Sequence, residues 1–234
     1  MVMTLVIVQD KKMAHDLLDQ AAVKTSGRPS MVMANALCGY ESIVICQGYS
    51  PMFRRYRKLL HQELGTKVSA AQFLDAQERN YRNADATVLR MAYGYTVETH
   101  RPNALVELTE KMMGEFSLAA SPMAWAVDTI PVLRYLPDFF PGTSFKKTAR
   151  RWRKSIQASA YVPYEFVRRQ MATFIYQPSY VSKLVQKLGE GENGNLSSRN
   201  EEVIIWSAAS LYGAAADTSI ITLTTFALAM SSFI

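Results

Sequence analysis

Apolar residues recur every three or four positions along most of this chain, a period that predicts one helix after another. Residues 3–8, MTLVIV, break the pattern: short, continuous and β-branched, they predict a strand. Asp10 then caps a helix over 11–23 with Met13, Leu17, Leu18 and Ala21 on one face, stopped by Ser26-Gly27-Arg28-Pro29. The pattern is mixed over 30–50, where residues 42–47 (SIVICQ) read as a second short strand. Helical spacing returns over 52–64, with Phe53, Tyr56, Leu60 and Leu64 on one stripe. It returns again over 70–93, where Val88 and Met91 fall on the expected apolar side and Tyr93-Gly94-Tyr95-Thr96 closes the element. Pro102 and Asn103 precede a helix over 104–119, and an aromatic, proline-rich connection follows over 125–142. Ser144 is placed to cap a helix carrying Phe145, Ala149, Trp152 and Ile156 at core spacing, which Pro163 interrupts and 164–173 resumes. A further helix begins at Pro178 and runs to residue 188.

The closing stretch, residues 203–234, carries one charge, Asp217, and no proline. A single helix of that length extends about 48 Å at the usual rise. Two readings stand side by side. About 20 apolar residues suffice to cross a bilayer, although an aspartate near the middle costs roughly 2.5–3.5 kcal/mol. Alternatively the helix is a central one, buried on all sides by a large helical domain. In that case Gly213, Ala214, Ala215 and Ala216 admit a flat ligand close to the backbone, with Asp217 and Thr218 beside it. Glu201 and Glu202 suit its first turn, where acids favour the helix dipole.

Composition narrows the class. With 234 residues, 49% apolar and 20% charged, the chain supports a substantial core and is not a disordered one. Two cysteines, Cys38 and Cys46, provide no disulfide framework and suit a reducing compartment. The opening residues place an apolar run before the charges and lack a small-residue cleavage site, unlike a secretory leader. The net charge of +6 gathers partly at Arg54, Arg55, Arg57 and Lys58 and partly between Lys146 and Lys154. Because Trp152 falls on the apolar stripe of the second cluster, the basic–aromatic mixture there is not read as a nucleic-acid surface.

Two further patterns are set aside. Gly189-Glu190-Gly191-Glu192-Asn193-Gly194 matches G-x-G-x-x-G in letters, but it follows a helix and holds two acids that repel a pyrophosphate. The histidines His15, His61 and His100 lie far apart, without ligand spacing for zinc. What remains is a pair of local patterns. Arg57 lies four residues after Phe53, so the two share a helix side on which a guanidinium can hold a carboxylate against an apolar surface. In the closing helix the Thr218 hydroxyl can bond back to the Ala214 carbonyl, loosening the helix into a groove for a small polar molecule. Asp217 would stand nearby as a proton donor, or else cap a second helix.

At these two places the sequence resembles the cytochrome P450 haem-thiolate monooxygenases, fungal ones in particular. FRRYRKLLHQEL is similar to the family's C helix, whose W-x-x-x-R motif faces a haem propionate; Phe53 stands at the tryptophan position and Arg57 at the arginine. LYGAAADTS is similar to the oxygen-binding I-helix motif, [A/G]-G-x-[D/E]-T-[T/S], matched by Ala214, Asp217, Thr218 and Ser219, with Ala215 in place of the glycine. The SGRP turn and the segments FKKTARRWRKSI and VPYEFVRRQMA extend the likeness along nearly the whole chain.

The resemblance implies a mainly α fold, with residues 1–234 as one incomplete cytochrome P450 domain and a small β element near the start. It implies haem as cofactor, seated by Phe53, Arg57 and Ala214, with Asp217 and Thr218 as the catalytic pair. It further implies monooxygenation of a small apolar organic substrate, with NADPH electrons delivered by a reductase that meets Arg54, Arg55 and Lys58. No nucleic-acid partner is implied. The family's place is the cytoplasmic face of the endoplasmic reticulum membrane, by an anchor expected upstream of this chain. The family's E-x-x-R pair and haem-ligating cysteine lie downstream of the I helix, so this chain is expected to lack a metal ligand and to form no competent haem-thiolate centre. The alternative is a non-catalytic helical protein anchored in a membrane by residues 203–234.

Overall fold

The computed structural model describes residues 6–65, 84–97, 103–173, 176–189 and 196–231, with backbone alone at 84–85, 216–217 and 219–231. Its six longest helices among these residues are α1 (Pro51–Leu64), α2 (Ala84–Tyr93), α3 (Ala104–Ala119), α4 (Ser144–Ala172), α5 (Tyr180–Gly189) and α6 (Ser198–Ser231). α6 is the axis, and α1, α2, α3, α4 and α5 all pack against it. Val203, Ile204, Ile205, Trp206, Ser207 and Ala208 are buried in succession, which requires neighbours on every side of the helix. The reading of a buried central helix therefore holds over its first half. Among the described residues no helix is long and apolar enough to cross a membrane.

Local chemistry sets the helix starts. The Asp10 carboxylate accepts from Met13 N–H at 2.7 Å, and the Asn103 side chain accepts from Leu105 N–H at 3.0 Å. Ser179 and Ser182 cap α5 reciprocally, each hydroxyl accepting from the other's backbone N–H at 3.2 and 2.8 Å. Ser144 is not the cap expected of it. Thr143 holds that position, and its hydroxyl bonds instead to the Asp138 and Phe140 carbonyls.

Pro163 does not interrupt α4, which runs through it for 29 residues. A proline inside a helix costs about 3 kcal/mol, but one buried stripe of Trp152, Ile156, Ala160, Tyr164 and Val167 continues across it. Breaking the helix there would expose half of that stripe. In α2 the buried positions are Ala86, Leu89, Ala92 and Tyr93, while Val88 and Met91 are only half-buried. Both sets repeat at helical spacing, so the period could not choose between adjacent faces. The rest of the expected element, residues 70–83, lies outside the described residues.

Among the described residues there is no β-strand. Val6, Ile7 and Val8 lie in irregular chain, the first two exposed, and residues 3–5 of the first expected strand lie outside the described residues. Residues 42–47 form tight three-residue turns, Tyr40–Ser42 and Val44–Cys46, instead of a strand. Their donors are satisfied without a ladder: Cys46 N–H bonds to Ile43 O at 3.0 Å, and Val44 N–H bonds to the Ser210 hydroxyl at 3.0 Å. The helix expected over 11–23 becomes Lys11–His15, a wider turn Asp16–Gln20, and Ala22–Thr25. Its apolar positions Met13, Leu17 and Leu18 are exposed.

α2 ends at Gly94, whose φ of +66° lies in the left-handed region, and a Cβ there would stand 2.7 Å from the Gln177 carbonyl oxygen. Gly94→Ala is expected to lower stability by about 2 kcal/mol from the backbone conformation and the contact together. A shift of the urea midpoint checks this.

Candidate functional site

α1 has two apolar sides with different jobs. Tyr56 and Leu59 are buried in the core, whereas Phe53, Arg57 and Leu60 face a cavity of about 650 Å³. The cavity's opposite wall is α6, through Ala209, Ser210, Leu211, Gly213, Ala214, Ala215 and Thr218. Met112, Met113 and Phe116 of α3 supply a third side, and Ile43, Val44 and Ile45 a fourth. The volume lies within the usual range for sites that take an organic ligand or cofactor.

Four of the five residues singled out from sequence thus meet in one space: Phe53, Arg57, Ala214 and Thr218. The Arg57 guanidinium carbon lies 5.8 Å from the centre of the Phe53 ring, as the i, i+4 spacing requires. The Thr218 hydroxyl donates to the Ala214 carbonyl at 2.7 Å, the back-bond expected in this helix. Asp217 follows on the same helix, but its side chain lies outside the described residues.

Several lining residues were not singled out. Arg28 is the second charged residue among the described lining, and its Nε donates to the Ile45 carbonyl at 3.0 Å. Its signal lies in the SGRP turn, which marks a helix stop and a stretch of family likeness but assigns Arg28 no role. Met112, Met113 and Phe116 carried helical spacing alone, with nothing to separate a cavity face from a core face. Of the basic residues near α1, Arg54 and Lys58 are exposed, with Arg54 5.6 Å from the Tyr49 ring centre. Arg55 bonds the Asn200 side chain at the start of α6.

Neither cysteine lines the cavity. Burial and the nearby Glu115 push the Cys38 thiol up to about 12, against the pull of Arg153. Burial pushes Cys46 up to about 11, against Arg28. Both shifts favour the neutral thiol at neutral pH. Since each thiol titrates higher in the folded chain than its usual 9.0, the unfolded chain loses these protons first as pH rises. Their contribution to stability is whole below about pH 9 and declines as pH climbs toward 11–12. Urea midpoints across that window check the decline, and double replacement by alanine is expected to lessen its early part, between about pH 9 and 10, before the buried tyrosines, raised from 10.0, add a decline of the same sign.

Among the described residues no group of three or more His, Cys, Asp or Glu side chains is arranged to hold a metal ion. The cavity instead offers one apolar box, two guanidinium groups, and a helix of small residues with a hydroxyl. An extended apolar molecule bearing carboxylates fits that set of groups.

Comparison with known proteins agrees. The chain is 43% identical to a multifunctional cytochrome P450 monooxygenase of Aspergillus fumigatus, over 93% of this chain and 44% of that protein. It is 38% identical to a cytochrome P450 monooxygenase of Gibberella zeae, over 97% of this chain and 46% of the relative. A third, from Ampulloclitocybe clavipes, is 35% identical over 96% of this chain and 44% of its own length. No family model matches the chain, and no solved structure matches it. The chain belongs to the cytochrome P450 monooxygenase family, and it spans about half the length of the relatives that it matches.

Proposed function

We propose that the cavity between α1 and α6 is the haem and substrate chamber of a monooxygenase acting on a small apolar organic molecule. One observation carries this: Phe53 and Arg57 on one helix, and Ala214 and Thr218 on another 157 residues or more further on, line the same space. Arg57 and Arg28, which both line the cavity, would hold the two haem carboxylates. Phe53 would support the Arg57 guanidinium from below. Ala214 and Ala215 would present the flat backbone face against which the porphyrin lies, the extra methyl at Ala215 narrowing that approach slightly. Haem bound there would supply the iron centre at which dioxygen is activated.

The work left to this chain is to place protons and exclude water. The Thr218 hydroxyl, held to the Ala214 carbonyl, would keep a water in the groove of α6. Asp217 would resupply the proton that the hydroxyl passes on. The apolar side chains of α3 and of residues 43–45 would keep other water out and orient the substrate. Arg54 and Lys58, exposed beside the cavity, suit contact with an acidic face of an NADPH-dependent reductase. In this reading the enzyme would be held at the endoplasmic reticulum membrane, with the chamber on the cytoplasmic side.

Neither Cys38 nor Cys46 lines the cavity, so the thiolate ligand of a working centre would not be drawn from them. The test is haem titration of this chain, followed by reduction under carbon monoxide. Haem is expected to bind, quench tryptophan fluorescence and give a Soret band without thiolate character. A thiolate-type band that vanishes on Cys38→Ala or Cys46→Ala would refute the assignment of the ligand. Equal binding by a variant with Arg28 and Arg57 both replaced by alanine would refute the chamber.

A further inference from the structure

The fourth wall of the cavity, Ile43-Val44-Ile45, belongs to no helix longer than one turn, and among the described residues no strand lies beside it. A wall of that kind needs anchors from elsewhere. Val44 N–H finds one across 166 residues of sequence, in the hydroxyl of Ser210 at 3.0 Å. The same hydroxyl donates its proton to the Trp206 carbonyl at 2.7 Å. That back-bond fixes the hydroxyl's direction and leaves its lone pairs facing Val44. Ser210 is nine-tenths buried, on the central helix, and it lines the cavity alongside Val44.

We propose that Ser210 is a positioning residue: through the Val44 N–H it sets how far the 43–45 wall stands into the cavity, and so the breadth of apolar ligand that the chamber admits. The functional meaning rests on the reading of the cavity as a substrate chamber. The positioning itself does not, and its test needs no haem. Replacing Ser210 by alanine removes the acceptor that the described residues give to the part-buried Val44 N–H. The wall must then swing outward to hydrate that group or leave it unpaired, and either costs free energy. Ser210→Thr keeps a hydroxyl that can make both bonds.

The experiment uses the whole 234-residue chain, amide hydrogen exchange, and calorimetry with two carboxylate probes, slender octanoate and bulky adamantane-1-carboxylate. In the unaltered chain the Val44 amide is expected to be protected. Ser210→Ala should speed its exchange by about threefold to tenfold, the range of one lost hydrogen bond, and raise relative affinity for the bulky probe by a similar factor. Ser210→Thr should restore both. Val44→Ala should widen the preference by itself, and adding Ser210→Ala to it should change the preference no further. Exchange at Val44 in the unaltered chain as fast as in an unstructured peptide would overturn the proposal. So would an unchanged probe ratio in a folded Ser210→Ala variant, or full additivity in the double variant. Should Ser210→Ala fail to fold, the Val44 exchange rate and the Val44→Ala probe ratio decide. Failure of the haem titration above would remove the chamber while leaving these results standing.

Discussion

Arg57→Ala is expected to weaken haem binding by about tenfold at low salt, while binding of the porphyrin's dimethyl ester changes little. A charge-assisted hydrogen bond is worth roughly 1.5–3 kcal/mol when well enclosed, and the exposure of Arg57 puts the effect toward the low end of that range. Esterification removes the carboxylate charge and keeps the ring, so it separates anion capture from packing against Phe53. Tryptophan quenching by each porphyrin provides the measurement. An equal loss for both would mean that Arg57 acts through the Phe53 face, 5.8 Å away, and not on a carboxylate. Because exposed charge pairs are screened, the difference between the two porphyrins should shrink as salt rises.

The second large effect concerns the fold. Trp152 is 4% exposed at the centre of the α4 stripe, and its ring meets that of Trp125 edge to face at 5.6 Å. Trp152→Ala is expected to cost about 3–5 kcal/mol, from lost burial and the cavity left behind. That is a large fraction of the 5–15 kcal/mol typical of a folded domain. Trp125 is only half-buried, although its indole N–H donates to the Leu118 carbonyl at 2.9 Å, so Trp125→Ala should cost clearly less. Urea unfolding followed by circular dichroism ranks the pair, and equal losses would show that the two rings act as one packing unit.

Much of this was legible where chemistry is local. Asp10 and Asn103 announce their helices because a carboxylate or amide one step before the first turn has an unsatisfied N–H to meet. Phe53 with Arg57, and Ala214 with Thr218, could be paired because helix geometry alone fixes residues four apart. What sequence could not disclose was partnership across the chain. Residues 42–47 have the composition of a strand, but a strand needs a neighbour, and the Val44 donor found Ser210 instead. Pro163 carries a true local penalty, outweighed by a stripe whose burial depends on helices elsewhere in the sequence. Arg28 shows the same limit. Its turn was plain from Gly27 and Pro29, while its place at the cavity depended on where α1 and α6 come to lie.

The central position of α6 has a consequence for how the molecule is made. Its packing partners are α1 to α5, every one of which leaves the ribosome earlier. While these helices emerge, the surfaces that will close around Ile204, Ala208 and Tyr212 have nothing to close upon. Translation thus delivers the hub after these spokes, and their apolar faces wait uncovered on the nascent chain until α6 clears the exit tunnel.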